Sequence, residues 1–417
     1  MKFYSLNKSD LSKKVFAGVK YNENSFKGVL SKILSNFGYN SPKKTFTDDD
    51  KDLKIDTFAD GEMCPIFQKS IRDEHVTLMA DGHSAAEIMK LLLTIDAAKR
   101  SGAKKITVIY PYLPYARQDK NDHVRSSIGA KMMANLLEKV GVTRIISIEM
   151  HSPAIQGFFD IPVIHLNGNR IFGEYAKALN LHDVTNCSPD HGAIKRNADF
   201  SKYFPDCLSA VIDKKRKKPN EVASMEITGE ENISGRNVVC VDDMGDTLGT
   251  LVKAADLVMS KGALTFRAFL THPVLSGKAL TTLFNSKITE LVVSDTIVSV
   301  YHKQAQYEAM LLEEAVNVYN GEMNGSSSTF RLSTAESAIQ HRQKSSMIFS
   351  EAMNIYKRTG DKSNFTERFV EIMEEVKASH PKFTIVSCDK LLINSINRLI
   401  NKQSINDLNI EYQSIEA

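Results

Sequence analysis

Cysteine is sparse and shows no pairing pattern: there are five in 417 residues, Cys64, Cys187, Cys207, Cys240 and Cys388, with no Cys-x-x-Cys spacing. This points away from a disulfide framework and toward buried free thiols in a reducing compartment, since several of the five lie inside apolar runs. No apolar run reaches membrane-spanning length. The opening Met1-Lys2-Phe3-Tyr4-Ser5-Leu6 also lacks the long apolar core and small-residue cleavage site of a secretion signal. The expectation is a cytoplasmic protein with no membrane partner. A charge excess of one sign is missing too. A net charge of +3 gives no overall drive toward nucleic acid, so any basic site must be local. What is present, 42% hydrophobic and 25% charged residues, is ordinary for a globular chain, and the length allows two or three domains.

The most informative stretch is Val238-Val239-Cys240-Val241-Asp242-Asp243-Met244-Gly245-Asp246-Thr247-Leu248-Gly249-Thr250. Its four apolar residues read as a buried strand, and Leu251 to Ser260 as a helix, so the turn between them sits at a strand's C-terminal end and a helix N-terminus. Unpaired first-turn amides and the positive end of the helix dipole favour an anion there. Thr247 and Thr250 add hydroxyl donors, and Gly249 permits close backbone approach. Asp242 and Asp243 would repel a phosphate, but paired acids suit the hydroxyls of a sugar carrying that phosphate, with a metal ion nearby.

Strands and helices alternate along the rest of the chain. A short strand is expected at Val15-Phe16-Ala17-Gly18, then a helix with Val29, Ile33 and Phe37 on one face, then a solvated loop around Asp48-Asp49-Asp50. Phe58-Ala59-Asp60-Gly61-Glu62 reads as a hairpin turn. The spacing of Ile88, Leu92, Ile95 and Ala98 predicts a helix over Ala85 to Ser101, stopped by Gly102. Strand Ile106–Ile109 empties into Tyr110-Pro111-Tyr112-Leu113-Pro114-Tyr115-Ala116-Arg117-Gln118-Asp119, whose aromatics, Arg117 and Gln118 suit a nucleotide. A helix over Ala130 to Val140 follows. Strand Arg144–Ile148 delivers Glu149-Met150-His151, and Ser188-Pro189-Asp190 places an acid at another strand end. After the apolar Ala210-Val211-Ile212 come Asp213-Lys214-Lys215-Arg216-Lys217-Lys218, either a solvated face or a clamp for a polyphosphate. Further strands are expected at Phe266–Leu270 and Leu291–Thr296. The alternation predicts a parallel α/β architecture in two halves, with a boundary near Phe158 to Leu166 and the polar groups at strand C-termini.

These motifs, in this order, resemble the ribose-phosphate pyrophosphokinase (phosphoribosyl pyrophosphate synthetase) family, over roughly residues 14 to 297 and the last 40. The resemblance implies two phosphoribosyltransferase-like domains with parallel sheets. Residues 1–165 would form the ATP side, residues 166–297 with 382–417 would carry the ribose-5-phosphate loop, and 298–381 would be a helical insertion. It implies diphosphoryl transfer from ATP to ribose 5-phosphate with Mg²⁺, by homodimers assembling to a hexamer. Phe58, Asp60, Gly61 and Glu62 would meet ATP from a neighbouring subunit, and Arg117 and Gln118 from their own. His151 and Asp190 would belong to the Mg²⁺ site, and Lys214 and Arg216 to catalysis. Arg216, Asp242, Asp243, Asp246, Thr247, Leu248, Gly249 and Thr250 would bind ribose 5-phosphate.

Three departures stand out. Leu248 replaces the smaller residue usual in the loop, Ala80 to Glu87 is shorter than the family's strand-to-helix connection, and about 80 residues separate Ile297 from the family's ending at Phe383. The insertion carries helical stripes at Tyr307, Leu311, Ala315 and Val318; at Ile348, Ala352 and Ile355; and at Phe365, Phe369, Ile372, Met373 and Val376. The first two departures leave room for another 5-phosphoribosyl acceptor, such as a nucleotide-sugar. A catalytically silent regulatory subunit is the third reading, against which stand Lys214, Arg216, His151 and the Asp242 pair.

Overall fold

The computed structural model describes residues 2–6, 52–218, 221–300 and 382–400, with positions 11, 12, 14, 15, 303, 304, 306, 307, 310 and 403. The helix expected around Val29 to Phe37, the acidic run at Asp48 and the helical stripes from Leu311 to Val376 lie outside the described residues. Val15 is helical rather than the start of a strand. The edge strand falls instead to Lys2–Ser5 (β1), whose Phe3 and Tyr4 are both buried.

The first half continues with the hairpin Leu53–Thr57 (β2) and Met63–Phe67 (β3), then His75–Met79 (β4), helix Ala85–Arg100 (α1), Lys105–Ile109 (β5), helix Gly129–Val140 (α2), Arg144–Ile148 (β6) and Val163–Leu166 (β7). Its five-stranded sheet runs β1-β4-β5-β6-β7, with every pair parallel. Parallel neighbours require crossovers, and α1 and α2 supply them. Helix α1 begins where Ser84 accepts a hydrogen bond from the Glu87 amide at 3.2 Å. It ends before Gly102, which has a φ of +83°, and it buries Ile88, Leu91, Ile95 and Ala98 on the sheet.

The second half holds helix Asn169–Ala178 (α3), Val184–Ser188 (β8), helix Ile194–Phe200 (α4), Leu208–Lys218 (β9), Glu221–Thr228 (β10), Asn237–Gly245 (β11), helix Gly249–Ser260 (α5), Thr265–Pro273 (β12), helix Ala279–Phe284 (α6), Glu290–Ser294 (β13), Phe383–Val386 (β14) and helix Asp389–Ile400 (α7). The seven strands are ordered β10-β9-β8-β11-β12-β13-β14. All pairs are parallel except the edge hairpin β9–β10. The cationic run Lys214–Lys218 therefore does not project beyond a strand end, because it lies within β9, where β10 gives its backbone a partner. Likewise Asp242 and Asp243 belong to β11, which keeps pairing with β12 as far as Gly245 opposite Pro273.

The halves share one core. Phe3, Ile109, Ile146 and Ile148 from the first sheet pack with Phe172 and Phe200, and with Val239, Val241, Phe269 and Val292 from the second. No helix among the described residues is long and apolar enough to cross a membrane. Strand β14 pairs parallel with β13, Leu291 opposite Phe383, although the two are far apart in sequence. The junction is fixed by Asp295, fully buried, which accepts from Ser387 Oγ at 2.7 Å and from the Cys388 amide at 2.8 Å. Removing that carboxylate leaves a buried amide and a hydroxyl without an acceptor. Asp295→Ala is expected to cost about 2–3 kcal/mol in urea unfolding, with Asp295→Asn milder because it keeps one acceptor. An Asp295→Ala variant as stable as wild type would show that β14 and α7 do not depend on this junction.

Candidate active site

An open cavity of about 840 Å³ lies at the C-terminal ends of the strands, where both halves contribute. In open α/β sheets this edge is where ligands bind, because helix N-termini and loops rather than side-chain-packed helices face it. From the first half come Arg117 and His151. From the second come Asp190, Arg196 and the loop Asp242–Leu251.

The loop has the geometry of an anion cradle. Helix α5 starts at Gly249, and its cap residue Leu248 makes no side-chain hydrogen bond to the first turn, so those amides remain for a ligand. Leu248 itself lies at φ 63°, in the left-handed region that favours glycine. Its side chain is buried in the second-half core, so apolar burial of about 1.5–3 kcal/mol offsets the backbone strain of about 1–2 kcal/mol. Gly245 beneath it has no room for more: a Cβ there would lie 2.3 Å from Leu270 Cδ1 and 2.9 Å from Leu248 Cδ2. Leucine at position 248 is thus accommodated by packing downward.

A chain of charges runs from one half to the other. Arg196, with 14% of its side chain exposed, places Nε 3.0 Å from Glu149 Oε1 and Nη1 3.1 Å from Asp242 Oδ1 and 3.8 Å from Asp243 Oδ1. Asp243, 7% exposed, accepts from His151 Nδ1 at 2.6 Å. Helix α4 is held in position for this by Asn197. Its amide donates to Val241 O at 2.8 Å and to Ala193 O at 3.0 Å, and its carbonyl accepts from the Val241 amide at 2.9 Å. The next residue along β11 is Asp242. Burial and the adjacent Asp243 charge push the Asp242 carboxyl up from its ordinary value. Burial would raise Asp243 as well, but the hydrogen bond from His151 and the Arg196 guanidinium hold it well below the usual carboxylate range. The same bond raises the His151 imidazole against the opposing effect of burial.

The remaining candidates are distributed unevenly. Arg117 and Asp246, expected on different ligands, meet at 2.8 Å across the cavity. Hydrogen bonds from Ser276 and Arg117 lower the Asp246 carboxyl. Asp190 lines the cavity and caps the following turn by accepting from the Ala193 amide at 3.1 Å. Thr247, Gly249 and Thr250 line it and are exposed. Gln118 is exposed in the loop before α2, its backbone carbonyl accepting from the Ala130 amide of that helix at 3.1 Å. Lys214 and Arg216 stand on β9, opposite Met225 and Val222. Phe58, Asp60, Gly61 and Glu62 do not join the group: all are exposed on the β2–β3 hairpin, and none lines this cavity. Sequence reasoning missed Arg196, Asn197 and the role of Glu149. A short polar helix gives no sign that one of its arginines is buried.

Comparison with known proteins is consistent with this layout. Residues 45–141 match the N-terminal domain of ribose phosphate pyrophosphokinase, and residues 175–324 match the phosphoribosyl synthetase-associated domain. The chain is 41% identical over 293 residues to a ribose-phosphate pyrophosphokinase of Oceanobacillus iheyensis, covering 69% of this chain and 86% of that one. The chain belongs to the ribose-phosphate pyrophosphokinase family. A family relative from Bacillus subtilis is 43% identical over 245 residues, covering 58% of this chain and 76% of its own. The crystal structure of phosphoribosylpyrophosphate synthetase from Mycobacterium smegmatis shares the fold, with a TM-score of 0.62 at 24% identity, over 96% of this chain and 99% of that one.

The His151–Asp243 pair makes stability pH-dependent, and the sign follows from the two shifts. The raised His151 value means the folded chain binds that proton more tightly. This contribution is complete below the ordinary imidazole value of 6.5 and is lost as pH rises through the raised value. The lowered Asp243 value acts at the other end: its contribution is present above the ordinary 3.8 and is lost as pH falls through the depressed value. Asp243→Asn should therefore lose most stability near about pH 6 and less near about pH 9, read as the difference in Tm from wild type. A difference of the same size at both pH values would show that the pair is not charged in the folded protein.

Proposed function

We propose that this chain is a ribose-phosphate diphosphokinase: the C1 hydroxyl of ribose 5-phosphate attacks the β-phosphorus of ATP, the bond from that phosphorus to the α,β-bridging oxygen breaks, and 5-phosphoribosyl 1-diphosphate and AMP result. Relatives of over 40% identity are named ribose-phosphate pyrophosphokinases. The observation that carries the reading is the meeting of Arg117, on the aromatic loop, with Asp246, on the phosphate loop, 2.8 Å apart in one cavity. A nucleotide on one loop and a phosphosugar on the other would lie in contact, which is what direct diphosphoryl transfer requires.

In this reading the first turn of α5, with Thr247, Leu248, Gly249 and Thr250, holds the 5-phosphate, and Asp242, Asp243 and Asp246 address the ribose hydroxyls. Asp246 must leave Arg117 to do so, which frees the guanidinium for the ATP phosphates. Lys214 and Arg216, on β9, would neutralise charge on the migrating diphosphoryl group, with Arg216 also serving the sugar phosphate. Gln118 contacts ATP beside Arg117. Phe58, with 55% of its surface exposed, supports the reading in which Phe58, Asp60, Gly61 and Glu62 serve the ATP site of a neighbouring subunit in dimers that build a hexamer.

The donor set suits Mg²⁺. Among the described residues that line the cavity, Asp122, Asp190, Asp242, Asp243 and Asp246 stand beside two arginines and offer the oxygen ligands this cation prefers. Among the described residues no three donors converge into an all-protein cage. That fits an ion held by one or two side chains, Asp190 and His151, together with the nucleotide's phosphates. Bound there, Mg²⁺ would neutralise phosphate charge. His151, in its neutral form, would offer Nε2, its Nδ1–H being held by Asp243. No observation favours a different phosphoribosyl acceptor or a silent regulatory role, and in this reading the enzyme works in the cytoplasm.

Purified protein incubated with ATP, Mg²⁺ and ribose 5-phosphate should yield AMP and a 1-diphosphate in equal amounts by mass spectrometry. Lys214→Ala should lower kcat about a hundredfold with KM for ATP little changed. AMP formed only with a different 5-phosphoribosyl compound would replace the acceptor, and unchanged turnover in the variant would remove Lys214 from the chemistry.

A further inference from the structure

We infer that His272 is a positioning residue of this reaction: it fastens the strand-end turn that carries His151 onto the sheet that carries the ribose-phosphate loop. The inference rests on the diphosphokinase reading. His272 lies on β12, opposite Met244 of β11, one residue before the point where Gly245 leads into the loop. It is 1% exposed and contacts no cavity-lining acid directly. Its Nε2 sits 3.1 Å from Ile148 O and 3.0 Å from Glu149 O, both at the end of β6 in the other half. Its Nδ1 is 2.9 Å from Thr296 Oγ1, at the end of β13.

The partners decide the proton's position. Two carbonyls facing Nε2 require an N–H there, and complete burial disfavours the doubly protonated ring, so Nδ1 is an acceptor facing the Thr296 hydroxyl, whose oxygen also lies 2.8 Å from Thr271 O. Ser294 then serves the Thr271 carbonyl, at 2.5 Å. The imidazole is thus a neutral bridge with one donor and one acceptor, joining strand ends from both sheets. Its ring also packs 4.9 Å from that of Tyr112, on the aromatic loop that leads to Arg117.

The turn it grips needs holding. Glu149 sits at φ 36°, a left-handed conformation for a residue with a side chain. Its carboxylate is engaged by the Gly168 amide at 2.8 Å and by Arg196, and its carbonyl by His272. Contact around it is close, since a Cβ on Gly168 would lie 2.4 Å from Thr271 Oγ1 and 3.1 Å from Glu149 Cβ. Two residues beyond Glu149 is His151, whose 2.6 Å bond to Asp243 spans the halves. Releasing the Glu149 carbonyl lets the turn relax and shifts His151 against Asp243, while the phosphate cradle on β11 and α5 keeps its own support.

The test is steady-state kinetics and ribose 5-phosphate binding by calorimetry on the full chain with four substitutions. His272→Phe keeps a ring and removes the donor. His272→Gln places an amide N–H near the Nε2 position, and His272→Asn places one near Nδ1 instead. Leu283→Ala, in the core of the second half, controls for stability alone. We expect His272→Phe and His272→Asn to lose about a hundredfold in kcat, with the ribose 5-phosphate Kd within about threefold of wild type. His272→Gln should recover kcat to within about tenfold of wild type. Should His272→Phe fail to fold, the Gln and Asn pair decides alone. Equal kcat in the Gln and Asn variants, or kcat losses that follow Tm in all four including Leu283→Ala, would overturn the inference. Absence of product from wild type would instead sink the diphosphokinase reading, so the two failures are distinguishable.

Discussion

A guanidinium shielded from water stands among three carboxylates where the two sheets meet. Arg196 comes from the second half, as do Asp242 and Asp243, and Glu149 from the first. Burying any one of these charges alone would cost several kcal/mol, and the acids next to one another would repel. Together they are tolerable only in this arrangement, so the arrangement fixes the relative position of the two strand edges. The shared apolar core brings the sheets together, but apolar contact is non-directional. The charge chain, extended by His151, supplies the register in which the cavity closes.

That constraint has a functional side. Among the described residues, more acids than arginines line the cavity. One of those arginines, Arg117, is occupied by Asp246.

Much of the fold was legible because the signals are local. The spacing of Ile88, Leu92 and Ile95 marks α1, and the runs at Ile106, Arg144 and Val238 mark strands that the structure retains, Arg144–Ile148 with the expected ends, the first starting one residue earlier and the last continuing to Gly245. The phosphate loop was legible because backbone conformation there is written in small residues, and even Leu248 stood out as an exception. Arg196, Asn197 and His272 were not legible. Each acts on a residue distant in the chain, His272 on carbonyls more than a hundred positions earlier, and nothing in a short polar helix or an ordinary strand end announces such a partner. The β9–β10 hairpin was missed for a related reason: the run Lys214–Lys218 has no apolar alternation in sequence, and only the pairing with β10 identifies it as strand.

The most direct measurement of the central constraint is a double-mutant cycle on Arg196 and Glu149, read as unfolding free energy in urea. If Arg196 balances buried acids across the halves, Arg196→Met strands them and destabilises strongly, and adding Glu149→Gln removes one stranded charge. The double variant should then be more stable than Arg196→Met alone, with a coupling of about 1–3 kcal/mol. Additive losses, with the double variant less stable than either single one, would contradict the account and leave the apolar core as the sole determinant of how the two halves fit.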